Sequence, residues 1–378
     1  CCVLRVVSSN QNQHATRNTF HSNTSTDEAY FQYGTKTMSA NLSPVQTDID
    51  FEKEGKQVSF LRVPHSRNNS AWGKILIPIT VVKQGEGPTV CLIGGNHGGE
   101  YEGVMTLLKL AKSLRPEEVH GRVIIIPALN LPAVVEGVRK SPIDGRDMNR
   151  SFPGLPHGTL SQVIAHYVHE AILPLCDAVL DIHSGGYSLD LAPYISMHYL
   201  ADEAQMSATK EALHAFQAPY ALIMEEFTGE GLLDYAVEGM GKVFLCAEIG
   251  GAGRLTPETL AIAERGTQNF LKHFGLINGE IVTCESLGQP PMALMEVPDP
   301  ENYHMVTVNG IYESFYTLGE SVTAGRPVGQ VHMVQHPAME PEVIYAQRSG
   351  ILMGTRGPGY VEAGDCVALV ASQWTSKS

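Results

Sequence analysis

Four short apolar runs, rich in β-branched residues and each closed by glycine or polar residues, constrain this chain most: TVCLIGG (89–95), RVIIIPALN (122–130), AVLDIHSGG (178–186) and VFLCAEIGG (243–251). They are apolar at consecutive rather than alternate positions. Such runs read as strands buried on both faces, the usual situation in parallel sheets. Between them the period changes. Val104, Leu107, Leu108, Ala111 and Leu114 recur at helical spacing until Pro116, and Leu160, Val163, Ile164, Tyr167, Val168, Ala171 and Ile172 do so until Pro174. A third helix is expected over 257–274, ending at Gly275. Strands alternating with helices predict an α/β unit, a mostly parallel or mixed sheet with helices on both faces.

The texture changes after residue 279. VNGIYESFYTLGESVTAGRPVGQVHMV and SGILMGTRGPGYVEAGDCVALVA are short strands parted by glycine turns, which predicts an all-β domain. Its GESVTAGRPVG and AGDCVALV elements resemble the half-motifs of a lipoyl-like barrel-sandwich. No lysine stands at the tip where such a domain carries its cofactor, so the expected role is a structural lid. Residues 1–42 read as a disordered extension, of which 1–37 are rich in Ser, Thr, Asn and Gln without either period and lie upstream of a natural start expected at Met38. The expected division is therefore 1–42, an α/β domain over 43–278 that carries the chemistry, and a β domain over 279–378.

A formal net charge of -14 argues against a nucleic acid or membrane partner, since both want a basic face. A small molecule is the expected partner. No apolar run reaches the about 20 residues that span a bilayer, and CCVLRVVSS is too short for a signal peptide. The 7 cysteines are odd in number and scattered, with no C-x-x-C pair. They read as thiols of a reducing, cytoplasmic compartment, with Cys91, Cys176 and Cys246 in the core.

In open parallel sheets, ligands bind beyond the carboxyl ends of the strands. His97 and Glu100 follow the first run, Asn149 and Arg150 lie in the long connection after the second, His183 ends the third and Glu248 ends the fourth. Four polar elements thus converge on one edge. His97, Glu100 and His183 supply two imidazoles and a carboxylate, a set that holds zinc while leaving a position open for chemistry. A lone H-x-x-E is more often a polar turn; the strand-terminal histidine followed by SGG raises it above that. Gly94, Gly95, Gly98 and Gly99 let the backbone turn sharply there. Arg150 with Asn149 offers a planar fork and an uncharged donor, which together fit a substrate carboxylate. A carboxylate at an apolar strand end, such as Glu248, can take a proton from water and pass it to a leaving amine. His166, His169, His332 and His336 lack matching partners and read as surface or core residues, and the sequons at Asn68 and Asn149 as chance matches.

GGNHGGEYEG, DGRDMNRSFPG, DIHSGG and CAEIGG, in this order, resemble the succinylglutamate desuccinylase and aspartoacylase family, zinc amidohydrolases with a zinc carboxypeptidase-like fold. The resemblance runs from about Ser43 to the C-terminus. It implies one Zn2+ per chain on His97, Glu100 and His183, Asn149 and Arg150 as the carboxylate clamp, and Glu248 as general base and then acid. It also implies an arginine that polarises the scissile carbonyl; Arg139 is the choice here, with Arg146 the other candidate. VPHSRNNSAWGKILIPITVVKQGEGPT, GRVIIIPALNLPA and SPIDGRDMNRSFPG look most like the branch that deacetylates N-alpha-acetyl-L-2,4-diaminobutyrate in ectoine degradation. That branch usually reads H-G-D-E where this chain has Gly99, a departure at a position that is not a ligand. The ammonium of such a substrate wants an acidic neighbour, and Asp190 and Glu226 are both open choices. Other N-acyl amino acids, a peptide substrate, and a noncatalytic zinc-free binding protein are the rival readings, and a homo-oligomer is a family-level expectation.

Overall fold

The computed structural model describes residues 43–225 and 229–374. The expected extension over 1–42 and the candidate Glu226 lie outside the described residues. A hairpin comes first, β1 (Gly55–Pro64) and β2 (Lys74–Gln84), paired antiparallel from Gly55↔Lys83 to Pro64↔Lys74. Then follow β3 (Thr89–Gly94), α1 (Tyr101–Ser113), β4 (Gly121–Ile126), α2 (Leu131–Glu136), α3 (Leu160–Tyr167) and β5 (Ala178–His183). The chain continues through β6 (Leu189–Leu191), β7 (Tyr194–His198), α4 (Glu203–Phe216), β8 (Tyr220–Met224), α5 (Leu233–Glu238), β9 (Val243–Glu248) and α6 (Pro257–His273).

The four apolar runs form the centre of the sheet in the order β4-β3-β5-β9, all parallel. Beyond them the sheet is mixed. β2 joins β4 antiparallel, and β7 joins β9 antiparallel with β8 parallel to β7. The connection over 184–193 is too short for the dozen or more residues that a parallel crossover needs, so β7 runs against β5. Successive side chains of each central strand enter opposite cores. Leu92, Leu180 and Leu245 face α1, α4 and α6 with Leu107, Phe216 and Phe270, while Cys91, Ile93, Val179 and Phe244 face the other way with Val163, Ile164 and Leu233. Each such fully buried side chain contributes about 1.5–3 kcal/mol. The second helical stripe is less regular than its spacing predicts, since α3 passes into a π turn at Val168–Ile172 and a 3₁₀ turn at Leu173–Leu175. Pro174 has no amide hydrogen to continue the ladder.

The C-terminal part is antiparallel β, built from β10 (Ala293–Val297), β11 (Tyr303–Met305), β12 (Gly310–Ser314), β13 (Ser321–Val322), β14 (Pro327–His332), β15 (Glu342–Tyr345), β16 (Gly350–Arg356), β17 (Tyr360–Val361) and β18 (Cys366–Gln373). Residue 279 marks a change of architecture, and the large sheet continues past it. β10 pairs parallel with β8 and antiparallel with β18, and β18 carries β16. A smaller sheet, β15-β14-β12-β17, lies beside it. Cys91, Cys176 and Cys284 are buried thiols, and Cys246 and Cys366 are half-buried ones. Among the described residues no helix is long and apolar enough to cross a membrane.

Candidate active site

Close packing of glycines sets the distance between the first two side chains of the site. A Cβ at Gly94 would stand 2.9 Å from the carbonyl carbon of Gly103, and one at Gly103 would stand 2.4 Å from the carbonyl oxygen of Ile182. β3, α1 and β5 therefore touch backbone to backbone. Gly95 bends the chain out of β3 with φ +64°, and a Cβ at Gly98 would stand 2.0 Å from the carbonyl group of Ala133 in α2. At Gly99 the nearest atom is the Gly137 oxygen at 3.3 Å, so this glycine is less tightly required.

The consequence is a compact cluster. Glu100 stands directly before α1, His97 precedes it by three residues, and His183 ends the neighbouring strand. Glu100 Oε1 lies 2.9 Å from His97 Nδ1, and Glu100 Oε2 lies 2.7 Å from His183 Nδ1. The imidazole rings stand 5.0 Å apart between centroids. Each ring is held from behind by a carboxylate: Asp147 Oδ1 is 3.0 Å from His97 Nε2, and Asp181 Oδ2 is 2.7 Å from His183 Nε2. Asn96 Nδ2 donates to Asp181 Oδ2 at 2.9 Å and fixes that carboxylate in turn.

The donor set fits a metal ion. One atom from each of His97, Glu100 and His183 lies within 4.8 Å of the others, and all three residues are buried. Both histidines present Nδ1 to the cluster and rest Nε2 on a carboxylate, the arrangement that fixes tautomer and orientation in histidine metal sites. The charges agree. Burial alone would raise Glu100, yet the imidazoles of His97 and His183 hold its carboxyl well below the usual range. Burial opposes charge on His183, yet Asp181 and Glu100 push it well above its ordinary value. Buried carboxylates thus draw positive charge to the point where a cation would sit.

Arg139 reaches the same cluster. Its Nη1 is 3.7 Å from Glu100 Oε1, and its Nη2 is 3.1 Å from Asp147 Oδ2. Arg146, the other candidate, is exposed in the preceding turn, where its amide donates to Asp144 Oδ1 at 3.2 Å. Asn149 is buried, and its Oδ1 accepts from the Leu233 amide at 2.9 Å at the start of α5. With the carbonyl oxygen committed there, the Asn149 NH2 points the other way. Arg150 is half-buried beside it, with Nη1 donating to the Asn149 carbonyl at 2.6 Å. Glu248 ends β9 in register with His183, and burial pushes its carboxyl up. All seven candidates over His97, Glu100, Arg139, Asn149, Arg150, His183 and Glu248 thus lie on or directly beyond the carboxyl edge of the parallel strands.

Asp190, on β6, is engaged elsewhere, in an ion pair with Arg254. β6 itself pairs with β16 from Gly354↔Leu191 to Arg356↔Leu189, so a C-terminal strand lies against the segment directly after His183. Two residues of the cluster escape a reading by motif, Asp147 and Asp181. Asp181 had a signal, because positions i and i+2 of a strand share one face, which sets it beside His183. Asp147 sits two residues before Asn149, and only the folded loop turns it back onto His97.

Residues 86–274 match the model of the succinylglutamate desuccinylase/aspartoacylase catalytic domain. The chain is 45% identical over 329 residues to N-alpha-acetyl-L-2,4-diaminobutyric acid deacetylase of Halomonas elongata, covering 87% of this chain and 95% of that protein. Among solved structures it is similar to a succinylglutamate desuccinylase/aspartoacylase of Rhodobacter sphaeroides, at 43% identity and TM-score 0.85 over 88% of this chain and 100% of that one. It is similar also to the product-bound ectoine utilization protein EutE (DoeB) of Ruegeria pomeroyi, at 39% identity and TM-score 0.83 over 87% of this chain and 99% of that one. With this sequence match and this architecture, the chain belongs to the succinylglutamate desuccinylase/aspartoacylase family.

Proposed function

We propose that this chain is a zinc-dependent amidohydrolase that removes the acetyl group from N-alpha-acetyl-L-2,4-diaminobutyrate, giving acetate and L-2,4-diaminobutyrate in ectoine catabolism. The observation that carries the substrate is the 45% identity to a deacetylase of that compound along 87% of the chain. What supports the chemistry is the cluster of two imidazoles and a carboxylate within 4.8 Å. His97, Glu100 and His183 would hold one metal ion per chain, which supplies Lewis acidity that polarises a carbonyl and makes water a stronger acid.

The chain's own residues do the rest. Arg150 and the Asn149 amide bind the α-carboxylate and set the scissile amide at the cluster. Glu248 takes a proton from the attacking water and later gives it to the departing amine nitrogen, so one buried carboxylate serves both half-reactions. Arg139, within 3.7 Å of Glu100, places positive charge where the carbonyl oxygen becomes negative. The substrate is a small molecule. The same reading gives 43–278 the zinc carboxypeptidase-like catalytic role and makes 279–378 a barrel-sandwich domain that flanks the site through β16.

Acetate release from N-alpha-acetyl-L-2,4-diaminobutyrate by zinc-loaded protein tests this, with N-acetylaspartate, N-succinylglutamate and a C-terminal dipeptide as competing substrates. Preference for the first, lost in Glu248→Ala by about a hundredfold or more, is the expected result. Turnover confined to another acyl amino acid replaces the substrate, and turnover of the peptide alone overturns the deacylase reading.

A further inference from the structure

Glu102 is a carboxylate with only 1% of its surface exposed, and the mechanism above does not use it. It stands on the first turn of α1, beside Gly103, whose missing side chain lets α1 lie on the Ile182 carbonyl. Its contacts run to other site-bearing segments. The Thr259 hydroxyl, in the first turn of α6, donates to Glu102 Oε1 at 3.4 Å, and the Ser184 hydroxyl, next to His183, lies near enough to the same carboxylate to favour its charged form. A Cβ at Gly250 would stand 3.4 Å from Glu102 Oε1, so the turn two residues after Glu248 lies directly on it. That turn and the one after His183 are themselves joined, with the Gly185 amide donating to the Gly250 carbonyl at 2.9 Å and the Ile249 amide to the His183 carbonyl at 3.0 Å.

We propose that Glu102 is a positioning residue, which ties the turns after His183 and Glu248 to α1 and so fixes both side chains relative to Glu100. The inference rests on the amidohydrolase reading of the site. Glu100 also meets the turn after His183, its Oε2 accepting from the Ser184 amide at 3.3 Å, whereas Glu102 lies in addition against Gly250 and Thr259; a buried carboxylate shared in this way orders what it touches. A hydrogen-bonding role predicts that shape and acceptor matter more than charge. Glu102→Gln keeps an oxygen for the two hydroxyls, whereas Glu102→Ala removes it.

Expected for folded Glu102→Ala is a kcat lowered about 10–100-fold with KM nearly unchanged, and a zinc affinity lowered by a similar factor. Affinity is read by competition with a chromogenic chelator and involves no substrate, so failure of the deacetylase assay leaves this test standing. Glu102→Gln is expected to restore both quantities to within about threefold of the native protein. Native kcat and zinc affinity in Glu102→Ala overturn the inference, as does a Gln variant damaged as much as the Ala one. If Glu102→Ala does not fold, the pair Ser184→Ala and Thr259→Val carries the test; about tenfold weaker zinc binding is expected, and unchanged binding overturns it.

Discussion

Asp147 accepts from His97 Nε2 at 3.0 Å, from Arg139 at 3.1 Å and from the Asn149 amide at 2.9 Å. One carboxylate therefore joins a candidate metal ligand, the candidate carbonyl-polarising arginine and the carboxylate clamp. Burial would raise it, but His97, Arg139 and Arg150 hold it well below the usual carboxylate range. Asp147→Ala is expected to weaken zinc binding and to lower kcat/KM, each about 10–100-fold, measured by chelator competition and steady-state kinetics. Native values for both would detach Asp147 from the site. His97, Glu100, His183 and Glu248 were legible in the sequence because each ends or follows an apolar run at an informative place. Asp147 was not, because its partner lies 50 residues away and no local spacing encodes that contact.

At the scale of elements, two devices hold the pieces in place. Asp144 caps the first turn of α3 from outside it, accepting from the Ser161 amide at 2.7 Å and the Ser161 hydroxyl at 3.0 Å. Burial raises its pKa, and the amides of Ser161 and Arg146 outweigh that, leaving it below 3.8. A group depressed on folding stabilises the fold above its unfolded pKa and loses that contribution as pH falls through the native one. Asp144→Ala is thus expected to cost about 1–2 kcal/mol at pH 7, with the gap to the native protein closing only below pH 3.8 in denaturant titrations. A constant gap from pH 7 to pH 2 would remove the ionised form from the explanation.

The second device is the glycine contact between α1 and β5. Gly103→Ala sets a Cβ 2.4 Å from the Ile182 oxygen, and backbone cannot turn aside as a side-chain tip can. A loss of about 1–3 kcal/mol is expected, together with weaker zinc binding, because α1 carries Glu100 and β5 carries His183. Gly359→Ala, whose nearest neighbour would be 3.9 Å away, is the control and should change stability by no more than about 0.5 kcal/mol. The sequence places Gly103 within a helical stripe, where glycine is normally a cost. Only the packed backbone explains why it stands there. The hairpin β1–β2 was also hidden from a reading by consecutive apolar runs, since polar residues interrupt β1 and its apolar residues divide between an exposed pair, Val58 and Phe60, and a buried pair, Leu61 and Val63.

For the whole molecule, the question is whether 279–378 stands apart. The change from helix-linked runs to glycine-parted strands marks a boundary by texture, and texture reports local structure only. It cannot show that β10 covers the edge of β8, or that β16 closes on β6. Across that junction Met295, Val297, Met353 and Leu369 pack with Leu191, Tyr194, Leu222 and Met224 in one buried cluster. Removing the C-terminal strands would expose these side chains and leave β8 with an unpaired edge, an arrangement that invites aggregation. Two units sharing a sheet and a core lose both together, so calorimetry of the full chain is expected to give a single unfolding transition that zinc moves upward as one. At zinc about a thousandfold above its dissociation constant, linkage gives about 4 kcal/mol of stabilisation. If 279–378 instead unfolds in its own transition, indifferent to zinc, then β16 is a lid resting on the site, and the segment after His183 is held by the α/β domain alone.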